Sequence, residues 1–302
     1  MKKTLLIISV LSFLFLSFTA CSEMNKDLPS SVSVNIHKPG INNPNSPNFH
    51  GKLVAATDWT MRECQQCHGR NYQGGIISEA SGNCLTCHTQ SAGPEACNTC
   101  HGDFSDSTKI APPRALDGSI SPSSRGVGAH VKHLYAATSG KKVECNECHL
   151  VPAMFLSAGH FDNTPRSEVV FGDLTKTKTN EPNTTDYDAS LQLFSPNPSY
   201  NYETNSCSNT YCHGYFKNGN TDYVVSFTAG SDGAKCGTCH GNKDTGNSLP
   251  KTSAQGGTHP NVPNCEFCHA GVVALVSGKY VITDSSKHIN GKLNIFGQER
   301  DY

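Results

Sequence analysis

The chain has 302 residues, of which 36% are apolar and 16% charged, with 27 glycines, 16 prolines and a mean hydropathy of -0.43. This length accommodates one or two domains, but so polar a composition supplies few side chains for an ordinary hydrophobic core. The net charge of -1, without a long run of like charges, suggests neither nucleic acid nor an anionic membrane surface as a partner, so charge is uninformative about partners.

The N-terminus has the pattern of an export signal. Two lysines precede an apolar run from Leu5 to Phe18, which is too short to span a membrane comfortably. The run leads through Thr-Ala to Cys21 and resembles a bacterial lipobox, although Phe18 stands where that pattern prefers an aliphatic residue. We therefore predict a signal peptide over residues 1–20 and lipidation of Cys21, which would anchor the chain to a membrane. Cleavage nearby that leaves Cys21 as a free thiol is the alternative.

The other fourteen cysteines fall in seven pairs, each followed at once by a histidine. Six pairs have CxxCH spacing: Cys64/Cys67/His68, Cys84/Cys87/His88, Cys97/Cys100/His101, Cys145/Cys148/His149, Cys236/Cys239/His240 and Cys265/Cys268/His269. The seventh, Cys207/Cys212/His213, is CxxxxCH. Two thiols at such spacing meet the two vinyl groups on one haem edge while the adjacent imidazole reaches the iron. The motifs therefore predict about seven covalently bound haem c groups, each with its iron on the motif histidine.

Two other uses of cysteine pairs agree less well with the residues. A closed zinc site takes four protein ligands, whereas each motif supplies three. A disulfide scaffold is natural for an exported chain with an even number of cysteines, but it gives no reason for seven adjacent histidines.

Seven histidines lie outside the motifs and match the motifs in number. They are His37, His50, His130, His133, His160, His259 and His288. A second imidazole on each iron would give low-spin haem of low potential, whereas methionine, the other common ligand, is scarce after the signal. We therefore predict these seven histidines as distal ligands. A segment typical of a flexible tether surrounds His37, which weighs against that residue.

The spacing of motifs and turn formers divides the rest of the chain. Residues 21–57 are predicted as a flexible lipoprotein tether, and residues 58–104 as a three-haem N-terminal module. Residues 105–128, rich in Ser, Pro and Gly, are predicted as a linker. Residues 129–302 then form a four-haem CxxCH/CxxxxCH module.

We predict a mostly irregular multihaem cytochrome c fold, in which short helices and a few short strands are wrapped around a closely packed haem chain. Apolar runs at 169–171 and 191–194 predict strands, and Asn218-Gly219 predicts a hairpin turn ahead of residues 223–225. The sequence after residue 130 predicts one helix with His130 and His133 on nearly the same face, where they could ligate two neighbouring haems.

Characteristic local sequences surround the motifs: His130-Val-Lys-His133-Leu134, Cys145-Asn-Glu-Cys148-His149, Cys207-Ser-Asn-Thr-Tyr-Cys212-His213-Gly214, Cys236-Gly-Thr-Cys239-His240-Gly241, Thr258-His259-Pro260 and His288-Ile-Asn-Gly291. They make residues 126–295 resemble the multihaem CxxxxCH/CxxCH cytochromes of metal-reducing and related bacteria. Cys64-Gln-Gln-Cys67-His68-Gly69, with Tyr72 and Gly74-Gly75, is similar to haem-binding repeats often placed ahead of that region. The resemblance implies an exported electron carrier, often a lipoprotein, in a respiratory chain that delivers electrons outward.

The first functional hypothesis is an electron carrier without catalytic residues. It would be an outer-membrane lipoprotein facing the periplasm or the cell surface, with a periplasmic donor and an outer-membrane or extracellular acceptor as redox partners. A multihaem reductase of nitrite, hydroxylamine or a sulfur oxyanion is the alternative; it would leave one iron without a distal ligand and place proton donors around it. A filament-forming structural cytochrome is the third hypothesis.

Overall fold

A computed structural model describes residues 36–75, 82–162, 164, 166–179 and 195–302. The predicted signal peptide, the lipidation site Cys21 and the strand at 191–194 lie outside these residues. The described residues fall into two compact units, divided between Met61 and Arg62. The predicted division of the sequence at residues 20, 57, 104 and 128 stays a prediction.

Regular structure is sparse and every element is short, which confirms the predicted irregular fold. The described α-helices are α1 (His50–Ala55), α2 (Arg62–His68), α3 (His130–Leu134) and α4 (Cys265–Cys268). The described strands are β1 (Ser199–Asn201), β2 (Ser206–Ser208), β3 (Val225–Ser226), β4 (Val273–Val276), β5 (Lys279–Ile282), β6 (Leu293–Ile295) and β7 (Gln298–Arg300). None of these helices is long and apolar enough to cross a membrane.

The strands pair into small antiparallel sheets that hold two of the cysteine motifs in place. In the sheet β1-β2-β3, Cys207 on the central strand lies opposite Tyr200 on one side and Val225 on the other. The hairpins β4-β5 and β6-β7 follow the last motif. The turn between β6 and β7 bonds to that motif, because the Phe296 amide donates to the Cys268 carbonyl over 2.6 Å.

The strand predicted at residues 169–171 is wrong. The amide of Val170 donates to the carbonyl of Cys148 at 2.9 Å, and the amide of Gly172 donates to the carbonyl of Glu147 at 3.0 Å. Phe171 between them is buried. The segment therefore bonds to the turn of the fourth motif instead of a neighbouring strand.

The turn predicted at Asn218-Gly219 forms, but it does not join two adjacent strands. Asn218 has a φ of 66°, in the left-handed region that Asn tolerates, and the Gly219 amide donates to the Phe216 carbonyl. The nearest strand, β3, begins at Val225 and pairs with β2, which precedes the CxxxxCH turn.

Few apolar side chains are buried, as the composition predicts. Those of the described residues are Ala111, Ala115, Val127, Phe171, Tyr211, Val225 and Val272. Three of them lie within residues 105–128. The amide of Ala111 donates to the Tyr135 hydroxyl at 3.0 Å, just beyond α3. The Ser-, Pro- and Gly-rich segment therefore packs within the second unit, next to the helix that carries two of the predicted distal ligands.

Candidate haem sites

The CxxCH motifs share a tight turn. In four of them the histidine amide donates to the carbonyl of the first cysteine over 2.9–3.0 Å, as seen for His88, His101, His149 and His269. This bond closes one helical turn between the first cysteine and the histidine. None of the fourteen motif cysteines forms a disulfide. In the described part of the chain, no group of three or more His, Cys, Asp and Glu side chains is placed to hold a metal ion.

The second motif differs from the others at Cys87. In each of the other six motifs the second cysteine is partly buried, whereas Cys87 is exposed. The turn itself forms, because the Cys87 amide donates to the Cys84 carbonyl over 3.2 Å. Phe104 packs edge-on against the adjacent His88 ring at 5.3 Å, but Cys87 is not enclosed in the same way. The predicted haem attachment at Cys87, like that at the other motif cysteines, stays a prediction from motif spacing.

Five of the motif histidines each face one histidine from outside the motifs. The ring centroids of the five pairs lie 6.0–6.4 Å apart. The pairs are His101 with His160, His149 with His130, His213 with His133, His240 with His288, and His269 with His259. Sequence reasoning named both members of every pair, but it did not assign partners.

This separation agrees with a metal ion shared by two imidazoles. A bond from an imidazole nitrogen to a transition metal is about 2.0 Å long, and the nitrogen lies about 1.1 Å from its ring centroid, so two rings on one metal have centroids about 6.2 Å apart. The residues therefore fit a haem iron held between a motif histidine and a distal histidine.

Backbone carbonyls hold the Nδ1 atoms of most of these rings. The bonds of 2.5–3.1 Å are made by His130, His133, His149, His160, His240, His259 and His269. His288 makes the same bond to the carbonyl of Ser139. Because a carbonyl only accepts, Nδ1 carries the proton and the lone pair is on Nε2, available to a metal. The buried Nδ1 of His213 has no hydrogen-bond partner among the described residues.

Helix α3 contributes to two sites at once. His130 faces His149 of the fourth motif at 6.3 Å, and His133 faces His213 of the CxxxxCH motif at 6.0 Å. The ring of Phe227 lies between the two helix histidines, edge-on to His130 at 5.0 Å and flat on His133 at 6.1 Å. One helical turn therefore connects two neighbouring sites.

The third, fourth and fifth motifs are neighbours in space. Burial lowers the pKa of the His101 imidazole, and the nearby imidazoles of His160 and His149 lower it further. Burial raises the pKa of the Cys207 thiol to about 12, and the nearby Cys148 thiol adds to the rise. The third motif therefore lies beside the fourth, and the fourth beside the CxxxxCH motif.

The row continues to the last motif. The Cys239 thiol of the sixth motif lies 3.9 Å from the carbonyl oxygen of Cys212. Burial lowers the pKa of His240 to about 4, with smaller contributions from His288, then from His259 and His269. Five sites therefore follow one another in space in the same order as their motifs follow in sequence.

Tyr72 ties the first three motifs together. Its hydroxyl accepts from Gln65, inside the first motif, over 3.0 Å, and donates to Glu95, just before the third. Its carbonyl accepts from the amide of Cys84, the first residue of the second motif. Burial, followed by the bond to Glu95, raises the pKa of Tyr72 to about 12. The sequence predicted that these motifs lie close together, but not that one tyrosine connects them.

The four remaining predicted ligands are placed as follows. His68 and His88 belong to motifs in the second unit, and His37 and His50 lie in the first. The Nδ1 atoms of His50 and His68 bond to backbone carbonyls at 2.9 and 3.0 Å, as in the paired rings. The role of His37 and His50 as distal ligands stays a prediction.

The CxxxxCH motif and the CxxCH motif behind it lie together in the middle of this row. Residues 206–240 match the family model described as the Geobacter CxxxxCH...CXXCH motif. The matched segment contains His213 and His240, and its match supports a family of the multihaem c-type cytochrome kind, with covalent haem c and electron transfer. Comparisons with curated proteins and with solved structures gave no match.

Sequence reasoning missed the residues that hold the ligands in position. Phe227 fits between His130 and His133 because Gly128 leaves room: a Cβ at Gly128 would lie 2.2 Å from the Phe227 ring. The carboxylate of Glu147, inside the fourth motif, accepts hydrogen bonds from the amides of Leu174 and Thr175 at 3.3 Å. Such contacts join residues far apart in sequence, so no local pattern predicts them.

Proposed function

We propose that this chain is an exported multihaem c-type cytochrome that carries about seven haems and transfers electrons along the row of its sites. The observation that supports this most strongly is the set of five histidine pairs with centroid separations of 6.0–6.4 Å. Each pair joins a histidine next to two cysteines with a histidine from a different part of the chain.

The side chains act by holding the cofactor in place. Haem iron, when bound, supplies a one-electron Fe(III)/Fe(II) couple. The two cysteines of each motif would attach the haem, and the motif histidine and its facing histidine would hold the iron. Carbonyl bonds to Nδ1 fix the orientation of the rings, as outer-shell partners do for metal-bound histidines generally. A site closed on both faces has no position for a substrate, which favours electron transfer over reduction of a bound molecule.

The order of the sites supports a continuous path. The third motif lies beside the fourth, the fourth beside the CxxxxCH motif, and so on to the seventh. Because neighbouring motifs lie close together, electrons can move between adjacent sites without motion of the protein. The two ends of this row are the third site and the seventh.

We also propose that the chain works at a membrane surface. Cys21, at the end of an export-type apolar run, supports a lipid anchor in the outer membrane. Redox proteins on the periplasmic side and an acceptor in the outer membrane or outside the cell would then be its partners. Mass spectrometry of the mature N-terminal peptide tests the anchor, because an unmodified Cys21 would contradict it.

Haem content is the decisive test of the proposed function. The full chain, expressed in a host with a c-type cytochrome maturation system, is expected to show seven haems per chain by intact mass and by the pyridine haemochrome spectrum. Replacing both Cys207 and Cys212 with Ser is expected to remove one haem, while Ser208→Ala in the same motif keeps all seven. A chain that matures without covalent haem would overturn the proposal.

A further inference from the structure

The five histidine pairs fall into two classes by the angle between their rings. Three pairs are nearly parallel, with angles of 24° for His101–His160, 22° for His149–His130 and 10° for His269–His259. Two pairs are crossed, with angles of 81° for His213–His133 and 78° for His240–His288. None of the five pairs has an intermediate ring angle, so the angle divides these sites into two separate classes.

The chain itself fixes the crossed orientation at the first of these sites. His133 donates from Nδ1 to the carbonyl of Ala129 over 3.1 Å, one turn earlier in α3. Its ring also lies flat on Phe227, with 9° between the two planes. Rotation of this imidazole would break the bond and lose the stacking contact. His133 therefore keeps its plane whatever His213 does.

The second crossed site is held from both sides. His240 donates from Nδ1 to the Ser248 carbonyl over 2.5 Å, and His288 donates to the Ser139 carbonyl. The carbonyl of His288 also accepts the amide of Lys141, over 2.8 Å. The backbone around residues 139–141 therefore fixes the position of His288 as well as its ring.

The two crossed sites are adjacent, and buried residues flank their motif histidines. Their motifs touch where the Cys239 thiol meets the Cys212 carbonyl, at 3.9 Å. Next to the motif histidines, Tyr211 is 4% and Thr238 is 5% exposed. The environment therefore disfavours an added positive charge at both sites.

Ring angle and burial act on the iron in the same direction. In low-spin ferric iron, two parallel imidazoles interact with the same d orbital, separate it from its partner and stabilise the oxidised state. Crossed imidazoles interact with both orbitals equally, so this stabilisation is lost. Burial also disfavours the ferric site, which carries one more positive charge than the ferrous site. Both effects favour the reduced form.

We propose that the two crossed pairs, His213–His133 and His240–His288, form an electronically distinct couple of sites that take up the first electrons entering the row. This inference rests on the proposed function, because it requires haem iron between the paired histidines. Each site gains one electron from an external reductant, Fe(III) becomes Fe(II), and no bond is made or broken. Along the row, two sites with nearly parallel rings precede this couple and one such site follows it.

Electron paramagnetic resonance of the oxidised protein separates the two classes. Parallel pairs are expected to give rhombic low-spin signals, and crossed pairs strongly anisotropic signals with a large gmax. During a potentiometric titration with soluble mediators, the large-gmax signals are expected to lose intensity at higher potential than the rhombic ones. Only rhombic signals, or loss of the rhombic signals first, would overturn the inference.

Variants assign the signals to residues. His133→Ala is expected to remove about half of the large-gmax intensity, whereas His259→Ala is expected to remove rhombic intensity only. Phe227→Leu keeps both ligands but removes the ring that stacks on His133, and is expected to shift the large-gmax signal at full haem content. Phe155→Leu is the matched control, because Phe155 contacts His160 of a parallel pair at 6.2 Å. An unchanged large-gmax signal in Phe227→Leu, or a changed one in Phe155→Leu, would contradict the assignment.

The haem count separates failure of this inference from failure of the proposed function. Seven low-spin haems with rhombic signals only would refute the two classes of sites and leave the electron carrier intact. A chain without covalent haem would refute both.

Discussion

Replacing His133 with Ala is expected to open one haem iron and no other. His133 faces His213 alone, at 6.0 Å, while His130, three residues earlier in α3, faces His149 at 6.3 Å. With seven motifs in the chain, the variant exposes about one seventh of the irons. His130→Ala exposes a different seventh, and the double variant exposes both, because the two rings serve separate sites.

Carbon monoxide binding to the fully reduced protein measures this fraction. The change in absorbance, divided by total haem on the same sample, is expected to correspond to one carbon monoxide per chain for each single variant and two for the double variant. Lys132→Ala is the control, because this exposed residue lies between the two histidines in the same helix. A single variant that binds two molecules of carbon monoxide, or none, would refute the assignment of one distal histidine to one site.

Three further predictions concern the contacts that hold the sites. Burial raises the pKa of Tyr72 from 10.0 to about 12. The protonated tyrosine therefore stabilises the folded protein fully below pH 10, and this stabilisation is lost as the pH rises toward 12. Tyr72→Phe should remove this alkaline loss of stability in thermal unfolding measured from pH 8 to 12. Tyr302→Phe removes a 3.0 Å hydrogen bond to the buried Tyr211 and should lower the free energy of unfolding by about 1 kcal/mol in a urea titration. An unchanged free energy of unfolding would show that the Tyr302 hydroxyl does not contribute to stability. Gly172→Ala would place a Cβ 2.9 Å from the Glu147 carboxylate and should cost about 1–3 kcal/mol, measured the same way; a neutral substitution would show that this carboxylate moves freely.

The sequence predicts the general fold of this chain and the types of residue in its sites. Motif spacing depends on local chemistry, since two thiols and an imidazole must meet one porphyrin edge, and a short helix at His130–Leu134 follows from its local pattern. Many glycines and prolines, with few apolar residues, predict short elements and a small side-chain core. These features can be predicted from the sequence because each depends on residues that are close together in the chain.

The partners of the distal histidines could not be predicted, because they depend on contacts between distant segments. His288 bonds to the Ser139 carbonyl across 149 positions of the chain, and only the folded chain shows that His240 faces it. The strand predicted at 169–171 failed for the same reason. Its apolar run is typical of a strand, but its amides bond to the motif around Cys148 instead. Long-range bonds override local propensity where a site must be held.

The degree to which each motif is enclosed could not be predicted either. The spacing around Cys87 is the same as that around Cys148, yet Cys87 is exposed and Cys148 is partly buried. Motif spacing therefore does not determine how far a motif cysteine is covered.

Carbon monoxide binding to the unmodified, fully reduced protein, with total haem and intact mass measured on the same sample, tests the two-histidine sites most directly. Two histidines on each iron predict seven haems per chain and no shift of any visible band on addition of the gas. Binding of carbon monoxide by any of the irons would contradict two histidine ligands on every iron.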